Sequence, residues 1–231
     1  ETTDVNTARQ ETAGSGIHTA ALVFGGYSST AIGNTESWDG SSWTEVNDLN
    51  QVRDGLSGST NGTYTLALAF GGAVPSPAET AKTESWDGTS WTEVNDLSVA
   101  RRLSAGSGTA TSALMSGGYP SPLGSNTEEF SFPPPTSAIL TEGDVFLSGG
   151  ATLKGFGRAA GIPAGTWASA ANMNTGRSRG ANAGTYTAAL AIGGTPSPGY
   201  TEVWDGSSWS ETGDLNTGRT ELGGAGTSTA A

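Results

Sequence analysis

Sixteen residues recur almost unchanged along this chain, and that recurrence limits its fold more than any other feature. "TESWDGSSWTEVNDLN" fills 35–50 and "TESWDGTSWTEVNDLS" fills 83–98, with fourteen of sixteen positions identical. A third version, "TEVWDGSSWSETGDLN", runs from Thr201 to Asn216. Upstream of each lies an apolar burst closed by paired glycines: "TAALVFGG" at 19–26, "TLALAFGG" at 65–72 and "TAALAIGG" at 187–194. A fourth burst, "TSALMSGG" at 111–118, is followed by Glu128-Glu129-Phe130 in place of Glu-Ser-Trp. The glycine pairs are spaced by 46, 46 and 76 residues, and an arginine precedes each burst: Arg9, Arg53, Arg101 and Arg177. Arg219 opens a fifth, unfinished unit. Periods of this length mean stacked units that bury their apolar faces on one another.

Each unit reads as four strands. Strand a follows the arginine, as in "LSGST"; strand b is the apolar burst, whose two apolar faces predict an inner position. Strand c is "TESWD" and strand d is "SWTEVND". Asp-Gly pairs at 39–40, 87–88 and 205–206 separate c from d, and Asp-Gly is a tight-hairpin signal. The paired glycines mark a place where φ is positive or another backbone comes close. The 36 glycines and short apolar bursts are poor helix material and favour an all-β chain.

These features together resemble the kelch-repeat β-propellers. Arg53, Gly71-Gly72, Trp86-Asp87 and Trp91 carry the resemblance in one unit; Arg9, Gly25-Gly26, Trp38-Asp39 and Trp43 carry it in another. Trp stands where the family usually has Tyr in strand c. The resemblance covers about three quarters of the chain and implies a propeller of four-stranded antiparallel blades, about four or five in number. More narrowly, "WDGSSWTEVNDLN", "AGTSTAA" and "ALAFGG" look like kelch-like proteins of tailed phages of marine bacteria. One propeller domain over 1–231 is expected, with units at 9–52, 53–100, 101–176 and 177–218 and a partial unit at 219–231. Residues 1–8 match the exit of strand d. The ends therefore allow two readings: a last blade assembled from both termini, or a segment of a longer repetitive chain.

The repeated Trp pairs are expected to pack between neighbouring blades. The repeated arginines are expected to bond carbonyls or an Asp of an adjacent blade. The third unit is interrupted by an insertion at 131–166, with a stiff Pro133-Pro134-Pro135 linker and a hairpin, "DVFLSGGATLKGFG", turning at Gly149-Gly150. "GTWASAANMNTGR" rejoins the repeat, with Trp167 in the place of Trp43 and Trp91.

Charge and inventory narrow the function. A net charge of −12 opposes nucleic acid and anionic membrane surfaces. No apolar run approaches the ~18–20 residues of a membrane span. With no cysteine and a single histidine, His18, the copper site of the galactose-oxidase type cannot be assembled; Ser-His-Asp chemistry would require His18, and nothing around "SGIHTAA" resembles a nucleophile's partner arrangement. His18 is expected at the surface. Glu36, Asp39, Glu45 and Asp48 have counterparts in sibling units, as structural residues would, whereas Glu142 and Asp144 are unique but lead into the hairpin. No calcium-loop spacing is present. No catalytic residue, metal or cofactor is assigned, and the chain is read as non-enzymatic.

The variable part is the b–c loop: "YSSTAIGNT", "AVPSPAETAKT", "YPSPLGSNT" and "TPSPGYT", three of them holding Pro-Ser-Pro. Loops of differing length on a rigid scaffold are where recognition concentrates. Tyr27, Tyr119 and Tyr200 are the candidate contact residues. The resemblance implies a virion structural protein (tail, fibre or capsid surface, hence extracellular) that attaches to host surfaces through these loops. Its expected partners are other virion proteins or copies of itself, with a host glycan or protein as target. An extracellular bacterial adhesion or carbohydrate-binding propeller is the alternative, and a glycan-degrading enzyme the third.

Overall fold

A computed structural model describes residues 3–75, 78–119, 124–131, 145–148, 152–155 and 165–229, the two short pieces 145–148 and 152–155 by backbone alone. The described residues contain no helix, and four antiparallel four-stranded sheets form a four-bladed β-propeller. Blade one holds β1 (Ala13–Ile17), β2 (Ala20–Phe24), β3 (Thr35–Trp38) and β4 (Trp43–Val46), in that spatial order. Blade two holds β5 (Ser57–Gly58), β6 (Ala67–Phe70), β9 (Thr83–Trp86) and β10 (Trp91–Val94). Its b–c loop carries a two-stranded hairpin of β7 (Ala73–Val74) and β8 (Ala78–Glu79).

Blade three holds β11 (Ala105–Thr109), β12 (Ser112–Ser116), β13 (Thr127–Ser131) and β16 (Thr166–Ala170). Blade four holds β17 (Ala181–Thr185), β18 (Ala188–Ile192), β19 (Thr201–Trp204) and β20 (Trp209–Glu211). In blade three Trp167 stands opposite Phe130, as Trp43 stands opposite Trp38 in blade one. Between β13 and β16, β14 (Val145–Ser148) pairs antiparallel with β15 (Thr152–Gly155), so the inserted hairpin forms. Pro133–Pro135, Glu142, Asp144 and Gly149-Gly150 lie outside the described residues, as does the Pro-Ser-Pro at 120–122.

The core consists of three joints between successive blades, each built from the same parts. Leu22 and Phe24 of blade one pack on Ala67, Ala69, Trp86 and Trp91 of blade two. The Trp91 ring lies edge-on to Phe24 at 4.9 Å, and its indole N–H donates to Thr35 Oγ1 at 3.1 Å. Trp167 repeats this on Phe70 (5.0 Å) and Thr83 (3.1 Å), and Trp209 donates to Thr127 at 3.1 Å. The strand-d Trp is therefore the interblade element, while its strand-c neighbour stacks beside it within the blade, at 5.3 Å for Trp86 and Trp91. Burying roughly 200 Å² of such a side chain is worth about 5 kcal/mol gross.

The glycine pairs close each b strand for the expected reasons. Gly71 and Gly72 have φ of 65° and 104°, and a Cβ on Gly72 would sit 2.7 Å from the carbonyl oxygen of Asp54. The Asp-Gly connections are longer than a two-residue turn. Asp39 Oδ1 instead accepts from the backbone N–H groups of Ser41 and Ser42, both at 2.8 Å, and Gly40 alone takes positive φ (96°). Hydrogen bonds from the Ser41 hydroxyl and the Ser42 and Ser41 amides hold the Asp39 carboxyl down at about 2. The same loop at Asp205 also holds its carboxyl at about 2, chiefly through the Ser208 amide.

Candidate functional site

Polar residues that recur in every unit are consumed by the scaffold. Arg53 is buried and donates to the carbonyls of Lys82 (2.5 Å) and Gly71 (3.2 Å) and to Glu84 Oε1 (2.8 Å). Glu84 in turn accepts from the backbone N–H of Asn50 at 2.7 Å, which ties the exit of blade one to blade two. Arg9 with Glu36, Arg101 with Glu128 and Arg177 with Glu202 repeat the pair. The expected carbonyl bonds are present, but the anionic partner is a Glu of the arginine's own blade, not an Asp of its neighbour. The arginine reaches the carbonyl that ends strand b and the strand-c Glu beside it, whereas Asp39 is bonded within its own turn. Burial draws the Arg9, Arg53 and Arg101 guanidinium groups below their usual range, and the paired carboxylates oppose this.

The arginines lead to a second repeated feature, which was not anticipated from the sequence. Two residues after each arginine stands a residue in the left-handed region: Glu11 (φ 55°), Gly55 (56°), Leu103 (55°), Arg179 (57°) and Glu221 (58°). Their backbones are linked in succession around the axis. Gly55 N–H donates to Glu11 O (3.1 Å), Leu103 to Gly55 (2.7 Å), Arg179 to Leu103 (3.0 Å) and Glu221 to Arg179 (2.7 Å). The signal was the constant offset from the arginine, with Gly55 pointing to positive φ at one of the five positions. Four of the five are non-glycine residues, for which this conformation is uncommon.

These residues ring the mouth of an axial cavity of about 410 Å³, continuous in its lining with a deeper one of about 430 Å³ among the a strands. Its walls are backbone and small side chains, including Gly14, Gly58, Gly106 and Gly224. The far end is narrowed by Asn61, whose backbone N–H donates to Gly108 O (2.8 Å) and whose amide donates to Gly184 O (2.5 Å). The segment after Arg219 forms no strand but keeps landmarks of strand a. Arg219 O accepts from Gly194 N–H, as Arg53 O does from Gly26, and Gly226 has φ of 107°. Asn6 bonds Glu36 and the Trp43 carbonyl as Asn50 bonds Glu84 and Trp91.

Of the three tyrosines singled out, Tyr27 and Tyr119 occupy equivalent places beside this mouth. Tyr27 exchanges backbone hydrogen bonds with Gln10, and Tyr119 with Arg102. Tyr27 is 39% exposed, whereas the Arg102 guanidinium lies over the Tyr119 ring at 5.3 Å. Tyr200 stands apart, just before β19, 43% exposed, with its carbonyl accepting from Arg177 at 2.6 Å. The three do not converge on one point. His18 is exposed, and its carbonyl accepts from the Trp38 indole. Asp54, beside the mouth, is raised above the usual carboxylate range by burial, against the pull of Arg102. Among the described residues no cluster of His, Asp and Glu could hold a metal.

No protein-family model matches this chain, and no curated protein matches it in sequence. Solved structures do match. One, the structure of YjhT, is similar at 12% identity with a TM-score of 0.68, over 94% of this chain and 74% of that one. At that identity the likeness is one of fold: the chain is a β-propeller. The chemistry must be read from its own residues.

Proposed function

We propose that this chain is a non-enzymatic, kelch-like propeller displayed on the surface of a phage virion, where it recognises the host surface through the loops around the axial mouth. The observation that carries this reading is the fate of the repeated acids. Glu36, Glu84, Glu128 and Glu202 are each buried against an arginine, so the recurrent carboxylates serve the scaffold. The b–c loops differ from blade to blade, as does the c–d connection of blade three, and each b–c loop starts beside the mouth, where Tyr27, Ala73, Tyr119 and Thr195 bridge to Gln10, Asp54, Arg102 and Ser178. A rigid frame with variable loops on one face suits recognition without a reaction. Other virion proteins or further copies of the chain are its structural partners on this reading, with a host glycan or protein as the target. Its acidic balance sets it against nucleic acid and anionic membrane surfaces.

The test is mass spectrometry of purified particles, paired with adsorption of the purified chain to the host cells. The expected result is a fixed copy number per particle and adsorption weakened by a Tyr27→Ala, Tyr200→Ala double variant. Absence from particles, with the peptides found in the bacterial surface fraction, replaces the virion role with a cellular adhesin. Release of free sugar by the purified chain overturns the non-enzymatic reading.

A further inference from the structure

We propose that the end of the propeller opposite the mouth, formed by the a–b hairpins and c–d turns of blades one, two and four, docks an arginine-bearing surface of a different, basic protein. It lies away from the b–c loops and so goes beyond the recognition role above. Each a–b hairpin ends in a two-residue tip: His18-Thr19, Tyr64-Thr65, Ala110-Thr111 and Tyr186-Thr187. The Thr is constant and the residue before it varies. In blades one, two and four the carbonyl of the variable residue accepts from the strand-c Trp indole, at 3.0 Å for His18, 3.1 Å for Tyr64 and 2.8 Å for Tyr186. The backbone of the tip is thereby held while its side chain stays exposed, 45% for Tyr64 and 38% for Tyr186, with Ile17 (64%) and Leu66 (49%) beside the tips. In blade three Phe130 replaces the Trp, and Ala110 is buried. Strand a of blade two also carries two extra residues, Thr60-Asn61. Asn61 bonds the carbonyls of Gly108 and Gly184, so the hairpins of blades two, three and four form one platform. Four of the eight exposed large apolar side chains gather on these hairpins, and such a gathering marks an interaction surface.

Charge states the chemistry of the partner. Each tip lies against the c–d turn of its own blade: a Cβ on Gly40, Gly88 or Gly206 would stand 3.2, 3.3 or 3.2 Å from the carbonyl oxygen of Thr19, Thr65 or Thr187. Asp39, Asp87 and Asp205 of those turns are exposed, and their turn hydrogen bonds keep them ionised. None of these hairpins and turns holds a lysine or arginine. A second copy has little to offer them. At the mouth end Lys82 is paired with Glu93 and Asp96, Arg102 with Glu79 and Arg179 with Glu221, which leaves Arg219 as the exposed cation without a carboxylate. The complementary charge therefore comes from another protein. Arginine meets both parts of the surface, since its planar guanidinium stacks on a tyrosine ring while bonding a carboxylate. The chain itself contains that contact: Arg102 lies over the Tyr119 ring at 5.3 Å and pairs with Glu79.

The probe is a dye-labelled octa-arginine peptide, with octa-lysine as its equal-charge comparison, titrated against the whole chain by fluorescence anisotropy at about 0.15 M salt, where distant charges are screened. Octa-arginine should bind about threefold or more tightly than octa-lysine. Changing Tyr64→Ala and Tyr186→Ala together should weaken octa-arginine about fivefold or more and remove that preference. The triple variant Asp39→Asn, Asp87→Asn, Asp205→Asn keeps the Oδ1 acceptor of each turn, removes its charge, and should weaken both peptides about tenfold or more. Glu45→Gln, Glu93→Gln, Glu211→Gln removes the same charge from exposed strand-d positions away from the tips and should change binding by less than about twofold. Equal loss in the two triple variants reduces the binding to net charge and overturns the site, as does the absence of binding. Binding that appears only after Lys154→Ala and Arg158→Ala gives the face to the chain's own insertion, which leaves blade three at this end. A mass that grows with concentration, and is restored to the monomer by the tyrosine changes, gives it to a second copy. Either result overturns the basic partner.

Discussion

Removing the Glu84 carboxylate should cost more stability than any surface change in this chain. The Arg53 and Glu84 side chains are 0% and 2% exposed, with Nη2 and Oε1 2.8 Å apart. In Glu84→Ala the guanidinium stays buried, because its other donors remain bound to the carbonyls of Lys82, Gly71 and Ala69. An orphaned buried charge of this kind costs about 3–5 kcal/mol. The Asn50 amide groups also lose their acceptor at 2.7 and 2.8 Å, which weakens one tie between blade one and blade two. For a chain of this size that is a fall in Tm of roughly 6–20 °C. Glu93→Ala is the control. Its partner Lys82 is exposed, and such solvent-screened pairs contribute little to stability. Urea denaturation followed by circular dichroism measures both variants. A loss below about 1 kcal/mol for Glu84→Ala, matching the control, would refute the claim that the repeated pairs hold the blades together.

The interblade tryptophans are not equivalent. Trp91→Phe loses the indole bond to Thr35 and part of its packing, for about 1–2 kcal/mol, while Trp43→Phe, at a half-buried ring, should fall within about 0.5 kcal/mol, both read from urea midpoints. Asp39 and Asp205 should titrate in the folded chain with midpoints at about 2, seen by carboxyl-detected NMR. Because both are depressed in the folded state, their contribution is complete above the unfolded carboxylate range and is lost as pH falls from about 4 to about 2. Glu129, raised by burial, occupies the position that Ser37, Ser85 and Val203 hold in the other blades. Its contribution has the opposite sign: the folded state is favoured at acid pH and loses ground as pH rises through the raised value. Glu129→Val should therefore raise the thermal midpoint at pH 7 and reduce this dependence, by less than about 1 kcal/mol given its partial exposure.

The blade could be read from the sequence because its determinants are local and repeated. Arg53, Gly71-Gly72, Trp86 and Trp91 each impose one geometric condition, and four repetitions remove accidental matches. Two details could not be read, for different physical reasons. Which carboxylate answers an arginine depends on which face of strand c each side chain takes relative to strand a, and that register emerges only on pairing. The left-handed residues at the mouth were hidden by their identities. Glu11, Leu103, Arg179 and Glu221 share no chemistry, since the position selects a backbone conformation and the blade-to-blade bonds enforce it. The tyrosines illustrate the limit of loop composition. Tyr27 and Tyr119 hold the same place in the fold, yet Arg102 covers one ring and leaves the other free.

The same joint that builds the core also explains the surface of the outer blades. Within the chain it is made three times, and each time a Trp of one blade seals the strand-b and strand-c residues of the blade before it. Phe24 and Phe70, sealed by the next blade, are fully buried, whereas Ile192 at the same position is only half-buried. Likewise Trp91 and Trp209 are buried and Trp43 is not. The strand-d residue is Trp in all four blades, yet Trp91 and Trp209 are buried while Trp43 and Trp167 are half-buried, so each joint and not the residue type sets its exposure. Repetition fixes the blade and the joint.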